Sequence, residues 1–339
     1  MCNMNLVTGA TGLLGSHIAE KLTQIGQKVR VMVRPASDTT FLESLGVEKY
    51  VGDLTDPAAC QAVCKDVEVV YHAAAQVGDW GPWSKFQQHT IDATDNLARA
   101  AQESSVRRFV HISSISTYGH PNGKDLIIDE TAPLGVKVHR WSYYTIAKVV
   151  AEKALWKMYE EEGFPLTVIR PSWLYGPRDR LSIARLHRMI TTGKIKILGS
   201  GDNRINTVYA ANVADACLLA AQKDIAVGQA YNCSNDGIIT QKEYLAKLAN
   251  AFGCPPPHRK VPYRLAYSFA FGCEIIGRLL RLKNPPFITR YSVWLMGRTV
   301  FFPADKARQQ LGWKSQVSYD RGTKLTAEWY LKQLKLTKK

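Results

Sequence analysis

The chain has no uninterrupted apolar stretch of 18 residues among its 339, so a membrane-spanning helix is not expected. Its opening, MCNMNLVTGATG, places no basic segment and apolar core ahead of the first strand-like run, so a secretory signal is not expected either. No two of the seven cysteines, Cys2, Cys60, Cys64, Cys217, Cys233, Cys254 and Cys273, have the CxxC spacing of a zinc site. We therefore expect no metal, and reduced thiols in a cytoplasmic setting. Cys60 and Cys64 fall on one helical face, which points to packing. Repeats, low-complexity tracts and glycine-serine linkers are missing, while 46% hydrophobic and 22% charged residues suffice for a full core and for two domains. Acidic residues are scarce at one end only. Residues 251–339 hold 4 of them against 17 basic ones, so +13 of the +15 formal charge lies in the last quarter of the chain. An anionic partner suits that quarter. Nucleic acid does not, because the cations are interleaved with apolar runs and no zinc-finger or RNP-like motif accompanies them.

What is present alternates. Strand-like runs at 4–8, 29–33, 47–51, 67–72, 108–113 and 166–170 are separated by amphipathic windows, an α/β pattern. Between the first two, 13–25 carries Leu14, Ile18, Leu22 and Ile25 at helical spacing and ends at Gly26, suited to a left-handed cap. Past Pro171 the rhythm becomes irregular, and 229–233 reads as a strand returning to the sheet. The expected architecture is a Rossmann-type doubly wound parallel sheet formed by 1–172 with about 204–239. A smaller discontinuous substrate domain follows from about 173–203 with 240–339.

Directly after the first run comes Thr8-Gly9-Ala10-Thr11-Gly12-Leu13-Leu14-Gly15. Glycine is required where a Cβ would block a pyrophosphate or the strand-helix contact, and a helix N-terminus offers free N–H groups and a positive dipole to the phosphates. At the end of the second run an acid would be expected for a ribose 2′-hydroxyl, yet Arg34 stands there and Asp38 comes only later. NADP(H) is therefore expected in preference to NAD(H). Asp53, in Gly52-Asp53-Leu54, is placed to hold the adenine amino group.

The catalytic signal spans two segments: Ser113-Ser114 at a strand end, and Tyr144 with Lys148 four residues on, on one helical face. A phenol titrates near pH 10, so exchanging protons near neutrality asks for a shift of roughly 3 units. Lys148 and an oxidised nicotinamide would both provide the positive charge. Ser114 would hydrogen-bond the reacting oxygen.

Taken in order, TGATGLLG, GDL, YHAAA, HISSISTYG, YTIAK and RPSWLYGP resemble the extended short-chain dehydrogenase/reductases, the epimerase/dehydratase superfamily, over nearly the whole chain. The resemblance implies a triad of Ser114, Tyr144 and Lys148, with Ser113 an alternative to Ser114, and Lys148 also holding the nicotinamide ribose. It further implies a cofactor lined by Gly9, Thr11, Gly12, Leu13, Leu14, Gly15, Arg34, Asp53, Leu54, His72, Ala73, Ala74, Tyr144, Lys148, Pro171 and Ser172, and a homodimer. His72-Ala73-Ala74-Ala75 with Gly78-Asp79-Trp80-Gly81-Pro82, and Gly199-Ser200-Gly201-Asp202-Asn203 with Tyr209-Ala210-Ala211-Asn212-Val213, look closest to the branch of 3β-hydroxysteroid dehydrogenase-like enzymes and 2-alkyl-3-oxoalkanoate reductases. Ile205-Asn206-Thr207 replaces the Arg-Asp-Phe typical of nucleotide-sugar enzymes, and Ile115-Ser116 replaces the dehydratases' acidic pair. Thr90 stands where the family usually has an asparagine supporting a proton relay.

Trp80, Trp83, Trp141 and Trp173 would then reach the nicotinamide end of the cleft, where large apolar surfaces suit a small apolar substrate. The window 265–280, LAYSFAFGCEIIGRLL, is too short to span a membrane. It reads either as a roof over that pocket or as an interfacial helix on anionic lipid, with 259–283 as a peripheral contact. The expected activity is NAD(P)H-dependent interconversion of a secondary alcohol and a ketone on a steroid-, lipid- or 3-oxoacid-like substrate. The alternatives are a nucleotide-sugar epimerase and a non-catalytic NADP-binding sensor.

Overall fold

The computed structural model describes residues 4–78, 80–121, 125–180 and 182–336. Cys2 and Asp79 lie outside the described residues. Seven strands form one sheet: β1 (Met4–Thr8), β2 (Lys28–Val33), β3 (Glu48–Val51), β4 (Val67–His72), β5 (Arg108–Ile112), β6 (Leu166–Pro171) and β7 (Gln229–Cys233). Their order is β7-β6-β5-β4-β1-β2-β3, and every pairing is parallel. Each expected strand is present within about a residue of its expected bounds, and 229–233 does return, as an edge strand beside β6. The apolar runs are continuous because both sheet faces are covered. On one side pack α1 (Leu13–Gln24) and α5 (Ala210–Gln222); on the other, α2 (Pro57–Cys64), α3 (Ala93–Glu103) and α4 (Tyr143–Glu162). The helix α1 stops where Gly26 adopts φ +74° and the Gln27 N–H bonds back to Leu22 O at 3.0 Å, a cap that glycine makes without steric cost.

Cys60 and Cys64 both face the core under α2, where burial pushes their thiols up to about 12. They are packing residues. All six described cysteines are free, and no cluster of three or more His, Cys, Asp or Glu suited to a metal occurs among the described residues.

Outside the main sheet are three two-stranded parallel pairs, Trp173–Tyr175 with Thr207–Tyr209, Ile197–Leu198 with Lys260–Val261, and Leu126–Ile127 with Val300–Phe301. Besides a helix at Ile183–Thr191, this part of the chain forms α6 (Gln241–Ala251), α7 (Tyr263–Leu279), α8 (Arg290–Gly297) and α9 (Tyr319–Leu336). Tyr175, Ile190, Tyr244, Leu248 and Tyr319 belong to an apolar cluster separate from the two flanking the sheet. No described helix is long and apolar enough to cross a membrane. The order reverses between β1 and β4, and the crevice outside the carboxyl ends of strands at such a point is where α/β sheets bind ligands.

Candidate active site

The turn after β1 is forced by close backbone approaches. Gly9 adopts φ +67°, and a Cβ there would stand 2.7 Å from Ala74 N; at Gly15 a Cβ would meet Gly9 O at 2.3 Å. Side chains at either position would push α1 or the end of β4 away from β1. Gly12 caps α1 with no side-chain partner for the helix N–H groups and is exposed. Thr11 and Leu13 flank it half-buried, while Leu14 enters the core. Unpaired first-turn donors bordered by a residue with no side chain fit a pyrophosphate.

The floor of this turn is a chain of hydrogen bonds. Thr8 Oγ1 lies 2.8 Å from His72 Nδ1, His72 Nε2 lies 2.9 Å from Thr94 Oγ1, and Ala74 N donates to Thr8 Oγ1 at 3.4 Å. Burial holds His72 down at about 3, so the imidazole is neutral and ties β4 to β1 and α3. Ala73 and Ala74 are half-buried beside Gly9. Arg34 stands exposed just past β2, whereas the carboxylate of Asp38 is taken by Arg180 at 2.8 Å and by the Thr40 hydroxyl at 2.8 Å. The acid that follows Arg34 is thus already matched. Burial works against the charge of Asp53, but the Thr55 N–H and hydroxyl outweigh it and keep the carboxyl below its usual range. Leu54 is buried, and its carbonyl accepts from Asn96 Nδ2 at 3.0 Å. Pro171 lies buried at the end of β6, and Ser172 Oγ donates to Ser234 O at 2.5 Å.

Where β5 ends, the two serines part company. Ser113 Oγ donates to Glu152 Oε2 at 2.5 Å, beneath the site. Ser114 turns the other way, caps the short helix Ile115–Tyr118 by accepting from Ser116 N at 3.1 Å, and its hydroxyl acts on the phenol of Tyr144. Ser113 is thus engaged by Glu152, and of the two serines only Ser114 has an effect on the phenol of Tyr144. One helical turn along α4, the buried Lys148 donates from Nζ to Ile112 O at 2.7 Å. Burial lowers its pKa to about 8 against the opposing charge of Glu152.

The expected lowering of the phenol by Lys148 is not a property of the chain by itself. Burial raises Tyr144 above the ordinary phenol value, and only the Ser114 hydroxyl counteracts it. The Lys148 ammonium donates to the Ile112 carbonyl and is not among the groups acting on the phenol. Tyr144 accordingly holds its proton at neutral pH, as a donor to a developing alkoxide must.

Of the four tryptophans, three gather at the start of α4. Trp83 meets the Tyr143 ring edge-on at 5.7 Å, and the Arg278 guanidinium lies 4.9 Å from the Trp80 ring and 4.8 Å from that of Trp141. Trp173 is elsewhere, packed on Tyr244 at 5.7 Å with its Nε1 directed to Ser182 Oγ at 3.4 Å. Thr90 is buried in the widened turn Gln87–Asp92, where its hydroxyl accepts from Gln76 N at 3.0 Å.

Sequence reasoning missed a buried polar network under the triad. Glu152 pairs with Arg170 at 2.5 Å, Arg170 Nη1 donates to the Tyr118 hydroxyl at 2.7 Å, and that hydroxyl donates to Asn232 Oδ1 at 2.8 Å. Its signal was available: Glu152 continues the spacing of four from Tyr144 and Lys148, and an arginine at the end of an apolar strand requires a partner. His111 gave no such signal. It is buried 5.6 Å from the His72 ring, and neither ring nitrogen has a hydrogen-bond partner among the described residues.

Known proteins match along the same lines. Residues 5–234 match the NAD dependent epimerase/dehydratase family. A 2-alkyl-3-oxoalkanoate reductase of Stenotrophomonas maltophilia is 28% identical over 94% of this chain and 96% of its own length. A decarboxylating sterol-4-alpha-carboxylate 3-dehydrogenase of Mus musculus is 26% identical over 95% of this chain and 89% of its own. Among solved structures, gox2253 superposes with a TM-score of 0.81 at 27% identity, covering 98% of each chain.

Proposed function

The chain belongs to the NAD dependent epimerase/dehydratase family, and on that premise we propose that it is an NADP(H)-dependent oxidoreductase reducing a ketone on an apolar, steroid-, lipid- or 3-oxoacid-like substrate to a secondary alcohol. The observation that carries this reading is the placement of Tyr144 and the buried Lys148 one turn apart on α4, with Lys148 Nζ donating at 2.7 Å to Ile112 O, two residues before Ser114. A nicotinamide, when bound, supplies the hydride. Ser114 orients the substrate oxygen, and Tyr144 gives its phenolic proton to that oxygen as negative charge develops there. Lys148, protonated below about 8, places a positive charge one helical turn from the phenol and favours the phenolate left behind. Residues 1–172 with about 204–239 would bind the dinucleotide, and 173–203 with 240–339 the substrate. Screening keto lipids, keto steroids, 3-oxo acids and UDP-sugars for net NADPH consumption tests the reading. A nucleotide-sugar epimerase would consume none, and a sensor would turn over nothing.

The preference for NADP(H) rests on Arg34, exposed and beside an Asp38 already engaged by Arg180. Arg34→Asp should raise the Kd for NADPH by roughly tenfold or more, the scale of a lost charge-assisted contact, and change that for NADH far less. Equal effects in a titration of both cofactors would remove the assignment.

Peripheral membrane contact through 259–283 belongs to the same reading. Leu265, Phe269, Ile276 and Leu279 are 62%, 61%, 57% and 77% exposed along α7, and Arg259, Lys260, Arg264, Arg281 and Lys283 are exposed around them. An apolar stripe with exposed cations before and after it in the chain fits an anionic bilayer. The protein should sediment with phosphatidylglycerol vesicles in a salt-sensitive way, and Phe269→Asp should weaken this severalfold. Absence of binding at low salt would refute the contact.

A further inference from the structure

We propose that Glu152 is a positioning residue for the reduction, a buried counter-ion that holds the end of β5 in place and keeps Lys148 an ammonium near neutral pH. The inference rests on the oxidoreductase reading and adds a residue to it. Glu152 is fully buried on α4, one turn after Lys148 and two after Tyr144, so the three share one helical face. A carboxylate at such depth is strongly unfavourable unless it is paired.

Both of its oxygens are engaged. Oε2 accepts from Ser113 Oγ at 2.5 Å, while Oε1 accepts from Trp156 Nε1 at 3.0 Å and from Arg170 Nε and Nη2 at 3.1 and 2.5 Å. One turn earlier, Lys148 Nζ donates to Ile112 O at 2.7 Å. Successive turns of α4 therefore grip Ile112 and Ser113, the two residues that lead directly into Ser114. A pair that served packing alone would need neither the bond to Ser113 nor a place one turn from a buried ammonium. Against the burial that lowers Lys148, Glu152 is the group that favours its charge, and the Arg170 guanidinium is not among the groups acting on it.

The other ionisable groups packed around the pair do not replace it. His72 on β4 and His111 on β5 feel the charge of Lys148, and burial holds the first down at about 3 and the second well below its usual value, so both are neutral. Tyr118, from the short helix after Ser114, bonds Arg170 and is pushed by burial up to about 12. Glu130 and Lys306 act from the Arg170 end. On α4 itself Tyr144 is raised by burial and keeps its proton. The negative charge available to Lys148 is thus that of Glu152.

Glu152→Gln keeps an acceptor for Ser113 and removes the charge, and combining it with Arg170→Met avoids stranding a buried guanidinium. In both variants the alkaline fall in kcat, centred near about 8 in the wild type, should move down by about one pH unit, the effect of losing an opposite charge at close range. The loss should then be about threefold at pH 7.5 and under about 1.5-fold at pH 6, with KM for NADPH unchanged. An equal loss at both pH values would overturn the proposal and leave a pair that only supports the fold. The charge on Lys148 can also be followed without turnover. In urea titrations the rise in stability with pH, which begins near about 8 in the wild type, should begin about one pH unit lower in the double variant and disappear when Lys148→Met is added. An unchanged onset would overturn the proposal whatever the activity. A lowered onset in a protein that reduces no ketone would sustain the hold of Glu152 on Lys148 and refute the reductase reading instead.

Discussion

Tyr144→Phe is expected to lower kcat by roughly 10³-fold, within the range that a positioned general acid contributes, while the Kd for NADPH changes by less than about twofold. The substitution removes only the phenolic oxygen. The glycine turn, the Thr8–His72–Thr94 chain and Lys148 are untouched, so cofactor affinity has no reason to fall. Burial raises the phenol above its ordinary value while Lys148 loses its proton near about 8, so reduction by the wild type should hold its rate up to neutrality and fall as pH rises through about 8, a fall that the variant, lacking the phenol, should not show. Steady-state kinetics with fluorescence titration of NADPH checks both arms. Retained turnover would show that another group protonates the oxygen.

Lys148→Met should lower kcat by roughly 10²-fold or more, since the charge that favours the phenolate is lost, yet it should not destabilise the protein without cofactor. The group's pKa falls from 10.5 to about 8 on folding. Below about 8 both folded and unfolded chains bind the proton, and the burial penalty is fully present. Between about 8 and 10.5 the unfolded chain binds more protons, so stability rises with pH across that window. The shift corresponds to a penalty of about 3 kcal/mol at neutral pH, offset by about 1–3 kcal/mol from the charged bond to Ile112 O. Removing both should leave unfolding free energy unchanged or higher by up to about 2 kcal/mol at pH 7 in urea titrations, and the wild type should gain stability between pH 8 and pH 10. A substantial loss of stability in Lys148→Met would contradict this balance.

The scaffold was legible because its signals are local. Strands buried on both faces read as continuous apolar runs, and Gly9 and Gly15 are dictated by contacts within one βα turn and its neighbour. The Tyr144 and Lys148 pair follows from helical spacing alone. What was not legible depends on how elements meet. Ser113 and Ser114 look equivalent in sequence, and only the extended backbone at Ser114, which sends neighbouring side chains to opposite sides, commits one to Glu152 and the other to Tyr144. The Glu152–Arg170 pair needs the register between α4 and β6. Trp173 resembles the other tryptophans in composition but sits on a strand that packs against Tyr244. Residues 265–280 admitted a roof or an interfacial helix, and α7 has a face for each, with Arg278 inside and Leu279 outside. The direction in which the Tyr144 phenol is shifted follows from burial, which no spacing reveals.

The most direct measurement is the fate of the hydride. With NADPH deuterated at the transferring position of nicotinamide C4, one cofactor should be oxidised for each ketone reduced, and the deuterium should appear on the carbinol carbon of the product. Sugar interconversion with no net cofactor oxidation would contradict the account, as would NADPH binding without transfer of deuterium to any ketone tried.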